Sequence, residues 1–137
     1  MSTTASLDTN VLLRFATKDV PTQFESARTL LASTETVYVV ADAAWVELAF
    51  VLERHYGLGR AAVVDTIRSL MTIDSVSADV ATIEATCQGF VTHPKLSFAD
   101  CYLAARAAST DTAPLYTFDK KLANQHPAAR LVPTPPG

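Results

Sequence analysis

The stretch TASLDTNVLLRF, residues 4–15, decides the fold class of this chain. A short strand-like run, TASL, gives way at Asp8 to a helical pattern from Val11. The same passage from strand to helix recurs, in TVYVV followed by AAWVELAFVLERHY and in LYTF followed by DKKLANQ, with RLVP as a last strand. Short strands alternating with amphipathic or apolar helices predict an α/β chain with a parallel sheet and crossover helices. In such sheets ligands bind at the carboxyl ends of the strands, which is where Asp8 stands.

Working outward, Pro21 is a favoured first-turn residue and opens a helix, Thr22 to Ser33, with Phe24, Ala27, Leu30 and Leu31 at core spacing. Gly57 and Gly59 separate the helix around Glu47 from another over Arg60 to Met71, whose apolar stripe is Val63, Val64, Ile67, Leu70 and Met71. A short strand is expected over Thr72 to Val76, then a helix from Ser77 with that serine as N-cap. Pro94 makes VTHPKLS a loop, and a helix resumes at Phe98. PTPPG, residues 133–137, forms neither helix nor inner strand and is expected as an extended tail.

At 137 residues, 49% hydrophobic and 18% charged, the composition is that of one folded domain over residues 1–137. No apolar run reaches the length of a membrane span, and MSTTAS lacks the features of a signal peptide, so no membrane and a cytoplasmic location are expected. Cys87 and Cys101 lack zinc-site spacing and read as buried thiols. The net charge of −3 excludes a general positive field for nucleic acid, so such a partner needs local charge or metal.

Four acids then stand out. Glu47 lies in WVELAFVL, and its helical neighbours Ala43, Ala44, Phe50 and Val51 offer no cation. A helix apolar nearly all round is expected to be buried, and a buried carboxylate requires a partner or a metal. The alternative is a neutral Glu47 hydrogen-bonded in the core. Asp8 or Asn10 could instead cap the first helix. Ser97-Phe98-Ala99-Asp100 fits a capping box, and Asp119 could cap DKKLANQ. Thr117 is a plain strand residue or a hydroxyl that bonds a neighbouring carboxylate or water. Taken together, four carboxylates with no His or Cys in ligand spacing suit Mg²⁺ or Mn²⁺ and phosphodiester hydrolysis. His55, His93 and His126 lack ligand spacing and read as surface or capping residues. Trp45, Phe50 and Tyr102 read as packing, and Arg14, Lys18, Lys95, Lys120 and Lys121 are candidates for backbone contacts with RNA.

LDTNVLLRF, AWVELAFVLERHYGL, SFADCYLAARA and LYTFDKKL, in this order, resemble the successive motifs of PIN-domain ribonucleases, and the VapC-type toxins above all. The resemblance spans about Ala5 to Val132. It implies a three-layer α/β/α sandwich around a central parallel sheet, and an Mg²⁺- or Mn²⁺-dependent endoribonuclease that leaves a 3′-hydroxyl and a 5′-phosphate. It further implies inhibition by a VapB-type antitoxin, an RNA substrate and a homodimer. By motif position, Asp8, Glu47 and Asp100 would hold the main ion, with Asp119 tuning a second ion or a water. Thr117 falls at the family's Ser/Thr position and Asn10 at its supporting polar position. Asp42 is an extra acid expected to cap the Glu47 helix.

Two other readings compete. LDTNVLL begins like the nucleophile motif of haloacid-dehalogenase-type phosphatases, but Asn10 stands where that motif needs a second acid. A non-catalytic PIN-like scaffold is the third, although all four acids are present.

Overall fold

The computed structural model describes residues 2–136, so Met1 and Gly137, the ends of the expected span and of its tail, lie outside the described residues. The chain forms two compact units, the first ending at Val80 and the second beginning at Ala81.

The first unit runs β1 (Thr3–Ser6), α1 (Thr9–Thr17), α2 (Pro21–Leu31), β2 (Thr36–Val39), α3 (Asp42–Arg54), α4 (Arg60–Met71) and β3 (Val76–Ser77). All its strand pairs are parallel, in the order β1-β2-β3, with Thr3 opposite Thr36 and Tyr38 opposite Val76. Helix pairs connect successive strands, as parallel pairing demands. Leu12 and Leu13 of α1, Ala27 and Leu31 of α2, Trp45, Leu48, Ala49 and Leu52 of α3, and Val63, Val64, Ile67 and Leu70 of α4 form its core. Each fully buried large side chain here contributes about 1.5–3 kcal/mol.

Several boundaries depart from expectation. α1 starts at Thr9 rather than Val11, because Asp8 already has N-cap geometry and its carbonyl accepts from the Val11 amide at 3.1 Å. The third strand is Val76–Ser77, not Thr72 to Val76. The amides of Tyr38 and Val40 donate to the carbonyls of Ser75 and Ser77, which holds Ser77 in the sheet and makes it no N-cap.

The second unit begins in the first turn of α5 (Val80–Thr92) and continues through α6 (Phe98–Ser109), β4 (Leu115–Thr117), α7 (Lys120–Gln125) and β5 (Ala129–Leu131). β4 and β5 pair in parallel, Leu115 opposite Ala129, Tyr116 opposite Arg130 and Thr117 opposite Leu131. α5 runs past Phe90 to Thr92 before Pro94 ends it. Ile83, Cys87, Phe90, Leu96, Phe98, Cys101, Ala104 and Leu122 are buried, and Phe90 meets Phe98 edge-on with ring centres 5.3 Å apart. Both cysteines are therefore core residues, as expected. The tail through residue 136 has no regular structure. Among the described residues, no helix is long and apolar enough to cross a membrane. The α/β class with parallel strands is the one the sequence predicts.

Candidate metal and catalytic site

Asp8 follows β1 directly and occupies the N-cap position of α1, yet its exposed side chain makes no capping hydrogen bond. Capping therefore does not account for this acid. Its neighbour Thr9 is buried, since the first turn of α1 places it with Leu12 and Leu13 on the covered face. The Thr9 hydroxyl donates toward Glu47 Oε2 at 3.1 Å and the Ala44 carbonyl at 3.3 Å. Glu47 is thus brought to the first turn of α1, beside Asp8 in the chain. Sequence reasoning passed over Thr9; the signal available was a hydroxyl three and four residues before two core leucines.

Glu47 itself is exposed, contrary to expectation. Helix α3 buries Trp45, Leu48, Ala49 and Leu52, while Ala43, Glu47, Phe50 and Arg54 form an exposed face. Phe50 is 56% exposed, so it is not the packing residue its chemistry suggested, and the Arg54 guanidinium lies over its ring at 5.7 Å. An apolar composition all round does not bury a helix when neighbouring elements cover one stripe of it. An exposed Glu47 needs no cation to offset burial. What remains is a carboxylate held by a buried hydroxyl. Asp42 is the first residue inside α3 rather than its cap, because Ala41 takes the N-cap position.

In the second unit Asp100 is half-buried in the first turn of α6, and its amide donates to Ser97 Oγ at 3.1 Å. That is half of the expected capping box. Among the described residues no hydrogen bond reaches the Asp100 carboxylate, which leaves it available to a ligand. Asp119 follows β4 and does cap: its Oδ1 accepts from the amides of Lys121 at 2.8 Å and Leu122 at 3.2 Å. Thr117 Oγ1 accepts from the Asp119 amide at 2.9 Å, so this hydroxyl shapes the turn that presents Asp119. Asn10 is exposed and opens onto an apolar groove of about 380 Å³ between α1 and α2, lined also by Val11, Gln23, Ala27 and Leu30.

Arg14 has partners within the chain. It reaches Gln23 at 2.8 Å, and Asp19 and Tyr56 each at 3.3 Å. The Tyr56 hydroxyl, donating to Asp19 at 2.6 Å, holds that carboxyl below its ordinary value, helped by the Thr17 hydroxyl and Arg14. Lys18 lies over the Phe24 ring at 5.3 Å. His55 and His126 occupy C-cap positions, in keeping with capping roles. His126 Nδ1 accepts from the Ala128 amide at 3.1 Å, and burial, then nearby His93, push its pKa down.

Each unit thus supplies two of the four acids. Among the described residues no three His, Cys, Asp or Glu side chains are grouped to hold a metal ion. The donor chemistry at the motif positions nevertheless fits a hard cation: carboxylate oxygens, two of them without internal partners, and no sulfur or imidazole.

Comparison with known proteins returns one family, described as "PIN domain", matching residues 5–126. No curated protein sequence matches the chain. Among solved structures, a crystal structure of VapBC2 from Rickettsia felis bound to a DNA fragment from their promoter is similar. It shares 12% identity at a TM-score of 0.39, over 94% of this chain and 97% of that one.

Proposed function

The chain belongs to the PIN-domain family, and from that membership we propose that it is a metal-dependent endoribonuclease, the toxin of a type II toxin-antitoxin pair. PIN domains are generally nucleases that use divalent metals. The observation that carries the reading for this chain is Asp8: a carboxylate at a helix start that the helix does not use. Asp100 supports it in the same way.

In this reading Asp8, Glu47 and Asp100 hold Mg²⁺, for which Mn²⁺ substitutes, and Asp119 offers the oxygen that does not cap α7. When bound, the ion supplies charge for the phosphate and lowers the cost of ionising a water nucleophile. The chain's own residues do the remaining work. Thr9 fixes the direction of Glu47, and Thr117 fixes the turn that presents Asp119. Hydrolysis of an RNA phosphodiester then leaves a 3′-hydroxyl and a 5′-phosphate.

The antitoxin of this proposal is of the VapB type, and the toxin works as a homodimer. The apolar groove between α1 and α2 supports such a partner, because an amphipathic segment fits a surface of this kind. Trp45 is fully buried and offers no docking surface.

The test is cleavage of total cellular RNA by the purified chain, with Mg²⁺, Mn²⁺ or EDTA, beside Asp8→Asn. Asn retains N-cap chemistry at an exposed site, so stability should change by less than about 0.5 kcal/mol. Discrete products that need both metal and Asp8 are expected. No cleavage by folded, metal-loaded protein would instead support the non-catalytic scaffold, and a stable aspartyl-phosphate on Asp8 the phosphatase.

A further inference from the structure

Around β4 exposure alternates along the chain: Leu115 and Thr117 are half-buried, while Tyr116 and Phe118 are 55% and 83% exposed. Phe118 is the most exposed large hydrophobic residue of the described chain, and it stands between Thr117 and Asp119. A side chain so placed contributes little to the core, so packing does not explain it. Arg130, exposed on β5, lies opposite Tyr116 in the parallel register and therefore shares its face. Lys120 and Lys121, both exposed, follow Asp119 in the first turn of α7. Phe118, Lys120 and Lys121 thus flank one candidate catalytic acid in the chain, and Tyr116 with Arg130 opposite it lies on the strand pair that leads into it, in a chain whose net charge is −3.

We propose that Phe118 and Tyr116 are substrate-positioning residues on which bases of single-stranded RNA stack, while Lys120, Lys121 and Arg130 contact the adjoining phosphates. Aromatic faces interleaved with basic residues are the general chemistry of single-strand binding. Every base has a π-face, so stacking binds with little sequence preference, and the cations follow the backbone. The consequence for this site is geometric. A base held on Phe118 sets its own phosphate within a nucleotide's reach of Asp119. Trp45 is a packing residue, as expected, whereas the exposure of Tyr116 and Phe118 leaves both rings outside the core.

The proposal rests on the ribonuclease reading, and its test separates the two. Binding of a fluorescein-labelled oligouridylate of about twelve nucleotides is compared with an abasic strand of equal length, in EDTA to prevent cleavage. The folded wild-type protein should prefer the strand with bases about tenfold. Phe118→Ala should erase that preference and Phe118→Trp restore it. Lys120→Ala with Lys121→Ala should weaken both strands alike and flatten the salt dependence. A wild type that does not distinguish the strands, or a Phe118→Ala variant that keeps the full preference, overturns the proposal. A base preference that depends on Phe118, without cleavage of cellular RNA in Mn²⁺, upholds the stacking surface and refutes the nuclease.

Discussion

Thr9→Val separates what holds the fold from what orients the site. Valine matches threonine in shape and in its branch at Cβ, so helix propensity at the start of α1 barely changes. The hydroxyl lost is 3% exposed and makes two contacts, at 3.1 Å to Glu47 and at 3.3 Å to the Ala44 carbonyl. The carbonyl keeps its own helical partner, and the exposed Glu47 carboxylate turns to water, so no buried group is left unsatisfied. The cost is therefore the net value of one hydrogen bond, about 0.5–1.5 kcal/mol, partly offset by the methyl that replaces the hydroxyl. For a chain of this size that lowers the melting temperature by about 2–5 °C. Loss of the group that orients a metal-binding carboxylate, by contrast, costs about 10–100-fold in metal affinity. A thermal melt, a calorimetric Mn²⁺ titration and the cleavage rate are measured together. Thr9→Ser, which keeps the donor, should retain metal binding. Wild-type Mn²⁺ affinity in Thr9→Val, or equal losses in the serine and valine variants, would refute the orienting role.

Three further outcomes follow from the second unit. Asp119→Ala removes an acceptor from two amides and should cost about 1 kcal/mol in denaturant unfolding, whereas Asp119→Asn should keep most of that stability while losing cleavage; equal stability of both variants would count against the cap. His126 has a depressed pKa, so the unfolded chain takes up its proton first. Stability should be full above the ordinary value of 6.5 and fall as pH drops below it, and His126→Asn should flatten that slope in urea midpoints read from about pH 7.5 to 5.5. Gly89 lies inside α5, where an added Cβ would meet Cys101 Cβ and Sγ at 3.6 Å, an ordinary contact. Gly89→Ala should stabilise by up to about 1 kcal/mol through helix propensity, and a lower melting temperature would show that the contact with Cys101 does not relax.

Much of the fold was legible because its punctuation is local. α4 begins and ends where Gly59 and the apolar stripe place it, and α6 opens at Phe98 under the Ser97 cap. The Asp119 cap was legible for the same reason, since an N-cap is decided within three residues. β3 was not. Thr72 to Val76 has strand-like residues, but pairing with β2 selects Val76 and Ser77, and a two-residue strand leaves almost no pattern of its own. The capping box at Ser97 was read whole, whereas the structure forms one of its two bonds and leaves the Asp100 carboxylate open.

By itself the sequence determined the order of the motifs and the identity of the four acids, and with them the carboxylate oxygens the chain can offer a ligand. These are properties of residues and their spacing, and they survive any arrangement of the chain. Tertiary structure alone decided which stripe of α3 is covered, and so that Glu47 is exposed. It also decided that Thr9 meets a carboxylate 38 residues away, and that Arg14 is engaged by Asp19, Gln23 and Tyr56. Burial and long-range hydrogen bonds depend on which neighbour packs where, and α3, apolar around most of its circumference, marks its open face only by Glu47 and Arg54, two charges seven residues apart.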